Sequence, residues 1–302
     1  MHFSMILLHL AGATFLLLFA VHMVRKGMEN AYGSTLRGLV GEARGGNAKA
    51  ATGGIVLAIM LQSSTAGAVL ACGFAASGLM STATGISLRL GAELGSAIVV
   101  RILSFDLEWL VPVCLTVGGF MYLKLSGNKL HNIGRMILGI GFVLLSLQLL
   151  NFATEPMRDS ALLPRLVGYL SDDYATAFLL GAVFTWLIHS SVAAILLIGA
   201  FAAKDVLPLD VGISLVLGAN LGGGLIAFWL SRGMPLEAQR SPLGNLMLRM
   251  VGTVVALAVI EGFKLPVDRL GATEGSALVN LHVLFNAVML VCSLPFAGAV
   301  AR

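Results

Sequence analysis

Charge is scarce in this chain. Of 302 residues, 19 are Lys or Arg and 15 are Asp or Glu, so 11% carry charge, less than half of the roughly 25% usual in a soluble domain. That is too little to cover a water-facing surface, which excludes an enzyme free in the cytosol. Cysteine is nearly absent. Cys72, Cys114 and Cys292 lie inside apolar runs with no CxxC or metal spacing, so they read as small core residues and neither a redox motif nor a transition-metal site is expected. Basic clusters are lacking too: the net charge of +4 comes from Lys and Arg scattered over short loops. No nucleic-acid partner is expected.

What the chain has in abundance is apolar length. Hydrophobic residues make up 58% of it, with a mean hydropathy of +0.93, and lipid is its expected surrounding. Stretches near 5–24, 83–104, 109–123, 131–152, 208–230, 242–260 and 277–298 approach the ~20 residues that span roughly 30 Å of hydrocarbon. The first has no basic residue before it and is too long for a signal-peptide core, so it reads as a retained span. Two further apolar regions, 50–78 and 175–203, are interrupted by Gln62-Ser63-Ser64-Thr65 and by His189-Ser190-Ser191. Each reads as two half-helices meeting at a polar tip. Non-helical backbone at membrane depth is tolerated only inside protein or beside a wet cavity, so both tips are expected to face an internal site.

With each hairpin returning to its own side, Arg25, Lys26, Arg37, Arg44, Lys49, Lys124, Lys129, Arg135, Arg232, Arg240 and Arg302 fall on one face. Arg158, Arg165, Lys204, Lys264 and Arg269 fall on the other. The richer face is the cytoplasm by the positive-inside rule, which puts the N-terminus outside and the C-terminus inside.

A shift of 127 residues aligns Gly85-Ile-Ser-Leu-Arg-Leu-Gly-Ala-Glu-Leu-Gly95 with Gly212-Ile-Ser-Leu-Val-Leu-Gly-Ala-Asn-Leu-Gly222, and Ser63-Ser64 with Ser190-Ser191. This is duplication. Units are expected at 1–127 and 128–254, followed by a C-terminal helical region at 255–302. Each unit crosses the membrane an odd number of times, which turns the second copy upside down. The expected fold is therefore an all-α membrane protein, an inverted-repeat transporter with two re-entrant hairpins and discontinuous helices.

A helix starting at each Ser-Ser presents unpaired backbone N–H groups and the positive end of its dipole. Two such starts facing each other make an anion site, to which Gln62, Ser63, Ser64, Thr65, Ser190 and Ser191 add donors. Hydroxyl and carbonyl oxygens freed by the breaks suit a hard cation such as Na⁺. The bland alternative, a serine bonded back to the carbonyl four residues earlier, fits one isolated pair but not the same pair repeated in register. His189 stands where the first copy has Gln62, and Thr185 shares its helical face. Gly91–Gly95 and Gly218–Gly224 are expected to interrupt their helices. Glu93, costly in a span, has three open roles: Na⁺ ligand, proton carrier, or partner of Arg89 one turn earlier. His282 and Asn286 read as interhelical glue, and Arg249 as a snorkelling residue near a span end.

The paired tips, a Gly-Ala-(Glu/Asn)-Leu-Gly stretch beginning 29 residues after Gln62 and after His189, and the closing His282-Val-Leu-Phe-Asn286 together resemble the type II sodium/phosphate cotransporter family. The likeness covers nearly the whole chain. It is nearest to the bacterial branch whose members carry a cytoplasmic PhoU-like domain after the last span, whereas this sequence ends at Arg302 without one. The resemblance implies a phosphate carrier of the bacterial inner membrane, coupled to Na⁺, with no other cofactor and no catalytic residues. It implies phosphate contacts from Gln62, Ser63, Ser64, Thr65, Ser190 and Ser191. Na⁺ contacts are expected among Gln62, Ser64, Thr65, Glu93, Thr185, His189, Ser191 and Asn220. The sequence departs from the family pattern at His189 (usually Gln), Glu93 (commonly Asn) and Ala58 (often Thr). Two rivals remain: a sensor that binds phosphate without moving it, and an intramembrane serine hydrolase. Adjacent His189 and Ser190 do not face each other at helical spacing, which counts against the hydrolase.

Overall fold

Helix follows helix through the computed structural model, which describes residues 3–42, 46–105, 107–154, 168–171 and 173–301. Arg44, Arg158, Arg165 and Arg302, used above to orient the chain, lie outside the described residues. The first half comprises α1 (Phe3–Glu42), α2 (Asn47–Leu61), α3 (Ser64–Ala76), α4 (Thr82–Leu103) and α5 (Leu110–Lys124). After it come α6 (Asn128–Thr154), α7 (Tyr174–Ile188), α8 (Ser191–Ala203), α9 (Leu209–Ser231), α10 (Leu236–Phe263) and α11 (Glu274–Ser293). No strand occurs among the described residues.

Among the described residues, five helical stretches are long and apolar enough to cross a bilayer: Ser4–Leu36, Asn128–Thr154, Leu209–Ser231, Leu236–Phe263 and Glu274–Val300. The chain is a multi-pass membrane protein. Two of the seven expected spans fall outside this set. Helix α5 has 15 residues, which rise only about 22 Å, and α4 carries Arg89, Glu93 and Arg101. The first span is also longer than expected. Helix α1 runs on through Arg25 to Glu42, with one non-helical residue at Tyr32.

The duplication reappears in the folded chain. Adding 127 to the bounds of α2 and α3 gives those of α7 and α8, and α4 maps onto α9 to within one residue. Packing repeats at the same shift. A Cβ on Gly54 would stand 2.0 Å from the Leu88 carbonyl oxygen, and one on Gly181 2.3 Å from that of Leu215. A Cβ on Gly91 or Gly218 would stand 1.9 Å from the carbonyl oxygen of Ala51 or Phe178 respectively. The seam between α2 and α4 is thus built as the seam between α7 and α9.

These glycines correct one expectation. Helices α4 and α9 run unbroken through Gly91–Gly95 and Gly218–Gly224. The glycines serve close backbone approach, in the manner of small residues between membrane helices, and the helix breaks fall at the two tips instead. Buried Leu17, Leu150, Ile195, Leu217 and Leu278 join α1, α6, α8, α9 and α11 in one core. Helix α8 lies in it, with Val192 to Ile198 all buried.

Candidate functional site

Each hairpin turns by the same local device. Helix α2 ends at Gln62 with φ 50° and ψ 33°, and α7 ends at His189 with φ 55° and ψ 27°. Both residues are left-handed, a conformation that costs a non-glycine residue about 1–2 kcal/mol. The next residue is extended, and its hydroxyl caps the return helix. Ser63 Oγ accepts from the Ala66 N–H and Ser190 Oγ from the Ala193 N–H, both at 3.2 Å. Strain kept at two equivalent points where glycine would relieve it is a feature found at binding sites.

The two tips line one cavity of about 230 Å³. Gln62, Ser63, Ser64 and Thr65 come to it from the first hairpin, and His189, Ser190 and Ser191 from the second. Ser64 and Ser191 are the first helical residues of α3 and α8, so their backbone N–H groups are among those without intrahelical partners. Gln62 Oε1 is buried without a hydrogen-bond partner. The Leu187 carbonyl accepts from His189 Nδ1 at 3.1 Å. A larger cleft of about 370 Å³, between α4, α6, α8 and α11, holds none of the expected site residues.

Three of the expected cation ligands lie elsewhere. Thr185 is fully buried beneath the second tip, packed where a Cβ on Gly222 would come within 2.8 Å of it, and its hydroxyl has no partner. Glu93 and Asn220 belong to a buried polar network. Glu93 Oε1 meets Arg89 Nη2 at 3.1 Å, as the pairing role anticipated, while Oε2 meets Arg249 Nη2 at 3.3 Å. Arg249 therefore does not snorkel. It is 1% exposed, donates from Nη1 to the Asn220 carbonyl at 2.8 Å and to Asn220 Oδ1 at 3.1 Å, and donates from Nη2 to Asn286 Oδ1. Its partners lie 29 and 37 residues away in sequence, beyond the reach of helical spacing. Asn286 Nδ2 donates to Asn220 Oδ1 at 3.0 Å, so the glue expected of it ties α11 to α9. Asn245, with its amide oxygen turned toward Arg89, accepts from Nε and Nη2 at 3.2 Å. The network joins α4, α9, α10 and α11 and buries two guanidinium groups against one carboxylate.

The cavity also has a wall that the sequence did not suggest, formed by His22 and Arg25 of α1. Arg25 closes a hydrophobic run and so reads as a loop cation. The available signal was the helical i, i+3 spacing of His22 and Arg25, realised as a 3.2 Å contact between Arg25 Nη2 and His22 Nδ1.

The sequence profile described as Na⁺/Pi-cotransporter matches residues 16–151 and 160–292. A Salmonella typhimurium protein named "Putative inorganic phosphate export protein YjbB" is 32% identical over 296 residues, which cover 98% of this chain and 54% of that protein. Its namesake in Escherichia coli K12 matches to the same extent. The uncharacterised protein YqeW of Bacillus subtilis is 24% identical over 248 residues, covering 82% of this chain and 80% of that one. The chain spans about half the length of the YjbB relatives. No solved structure matches it.

Proposed function

The chain belongs to the Na⁺/Pi-cotransporter family, and from that premise we propose that it carries inorganic phosphate across the bacterial inner membrane by alternating access, coupled to Na⁺. One observation supports this most: two serine-capped helix starts, equivalent under the 127-residue repeat, line a single cavity. Each start offers unpaired N–H groups and about half a positive charge, and the hydroxyls of Ser64, Thr65 and Ser191 add donors for phosphate oxygens. The unpartnered Gln62 Oε1 and the hydroxyl oxygens suit a hard cation beside the anion. We place the N-terminus outside and the C-terminus in the cytoplasm. The two hairpins then enter from opposite sides as inverted repeats, and displacement of one against the other opens the cavity to each side in turn. Net direction follows the phosphate and Na⁺ gradients.

Reconstitution into liposomes tests this reading. Ser64→Ala and Ser191→Ala are each expected to lower labelled-phosphate flux about 10- to 100-fold, the loss of one hydrogen bond to a charged group, with membrane insertion intact. Normal flux in both variants would remove the site. Replacing Na⁺ by K⁺ at two pH values is expected to stop uptake, whereas uptake that survived and followed a pH gradient would assign the coupling to protons. Saturable binding without flux would favour a sensor, and turnover of a lipid or peptide without flux a hydrolase.

A further inference from the structure

We propose that Arg25 sets the charge of the transported anion, standing at the throat between the two-tip cavity and a groove along α1 and α3 by which the anion enters. This rests on the reading of the cavity as the phosphate site.

Arg25 borders two spaces. It lines the cavity between the tips, and it also lines a groove of about 380 Å³ between Glu29, Gly33 and Leu36 of α1 and Ala66, Val69 and Leu70 of α3. Thr65 is the other residue common to both, so the spaces meet where Arg25 and the first tip face each other. Among the described residues, Arg25 is the one Lys or Arg in the cavity wall.

Charge balance gives that position meaning. Two helix N-termini supply about +0.5 each, roughly +1 together, so until a Na⁺ sits beside it an entering singly charged anion is matched and half of a doubly charged one is left uncompensated. Arg25 makes up the difference. Among the described residues its charge is not spent on a carboxylate: Glu29, one turn along α1, pairs with Lys26 at 3.8 Å. Its hydrogen bond goes to His22 Nδ1, a neutral acceptor that orients the guanidinium without cancelling it. A guanidinium offers paired N–H groups to two oxygens of one oxyanion, a geometry that an ammonium lacks. The groove leads to this group past mostly apolar walls and Glu29, so it guides an anion inward only because Arg25 stands at its inner end.

The test is phosphate uptake into proteoliposomes as a function of phosphate and of Na⁺. Arg25→Gln is expected to raise the half-saturating phosphate concentration about 10- to 100-fold, the loss of a charge-assisted hydrogen bond, with half-saturating Na⁺ unchanged. Arg25→Lys, which keeps the charge and loses the fork, is expected in between. An unchanged phosphate dependence in Arg25→Gln, with Ser191→Ala inactive, overturns the role of Arg25 and leaves the site standing. Normal behaviour in both variants sinks the site itself. If Arg25→Gln fails to insert, Val69→Cys in a Cys292→Ser background decides. An anionic thiol reagent is then expected to block uptake more than a cationic one of equal size, and equal effects overturn the route.

Discussion

Replacing Glu93 by glutamine is expected to cost about 3–5 kcal/mol of stability, the loss that follows when one partner of a buried ion pair is removed. Glutamine keeps the size and one oxygen, so packing changes little. What changes is charge. Arg89 and Arg249, with side chains 1% and 2% exposed, would keep two guanidinium groups with no counter-ion inside the bundle. A large fall in the thermal midpoint of the detergent-purified protein, or loss of its monodisperse peak, is the expected reading. The double variant Glu93→Gln with Arg89→Gln is expected to recover part of the loss, because residues in one network do not add independently. A Glu93→Gln protein of unchanged thermal midpoint that has lost its Na⁺ dependence would reverse the assignment and make Glu93 a cation ligand.

The second large effect is expected from a single methyl group. Gly91→Ala and Gly218→Ala each put a Cβ 1.9 Å from a carbonyl oxygen of the neighbouring helix. The obstacle is backbone, which cannot swing aside as a side-chain end does, so the helices must part. Overpacking of this kind typically costs 1–3 kcal/mol and sometimes more. Gly73→Ala is the control. Nothing lies within 4 Å of a Cβ there, and alanine is the better helix former by about 1 kcal/mol, so the thermal midpoint is expected to hold or rise. The two clashing substitutions belong to different copies of the repeat, and their effects are expected to add. Equal midpoints for Gly91→Ala, Gly218→Ala and Gly73→Ala would mean that the close seams are absent from the folded protein.

The parts of this fold that were legible in sequence are those written in local chemistry. Serine after an apolar run signals a helix start, and its recurrence at 127 residues marked both tips before any coordinate was known. Partnership across the bundle was not legible. Arg249 has the same neighbours in sequence whether it reaches to lipid headgroups or to Asn220 and Asn286, and only the crossing of α10 with α9 and α11 decides between them. Arg25 was hidden for a different reason. A hydropathy window ends at the first charge, whereas the helix continues past Arg25 to Glu42, and a charge that faces a polar cavity need not leave the bilayer. The glycines carried an ambiguous signal, since small residues both weaken a helix and admit a neighbour. Here the admitted neighbours are the backbones at Ala51 and Phe178, and α4 and α9 run unbroken past them.

Backbone laid against backbone has a mechanical consequence. Side chains yield by changing rotamer, but peptide planes in direct contact have no such cushion. The outgoing arm of each hairpin is therefore bolted to the long helix beside it, α2 to α4 and α7 to α9, as two stiff planks. Such a seam leaves little side-chain slack between each long helix and the hairpin arm that ends at Gln62 or His189.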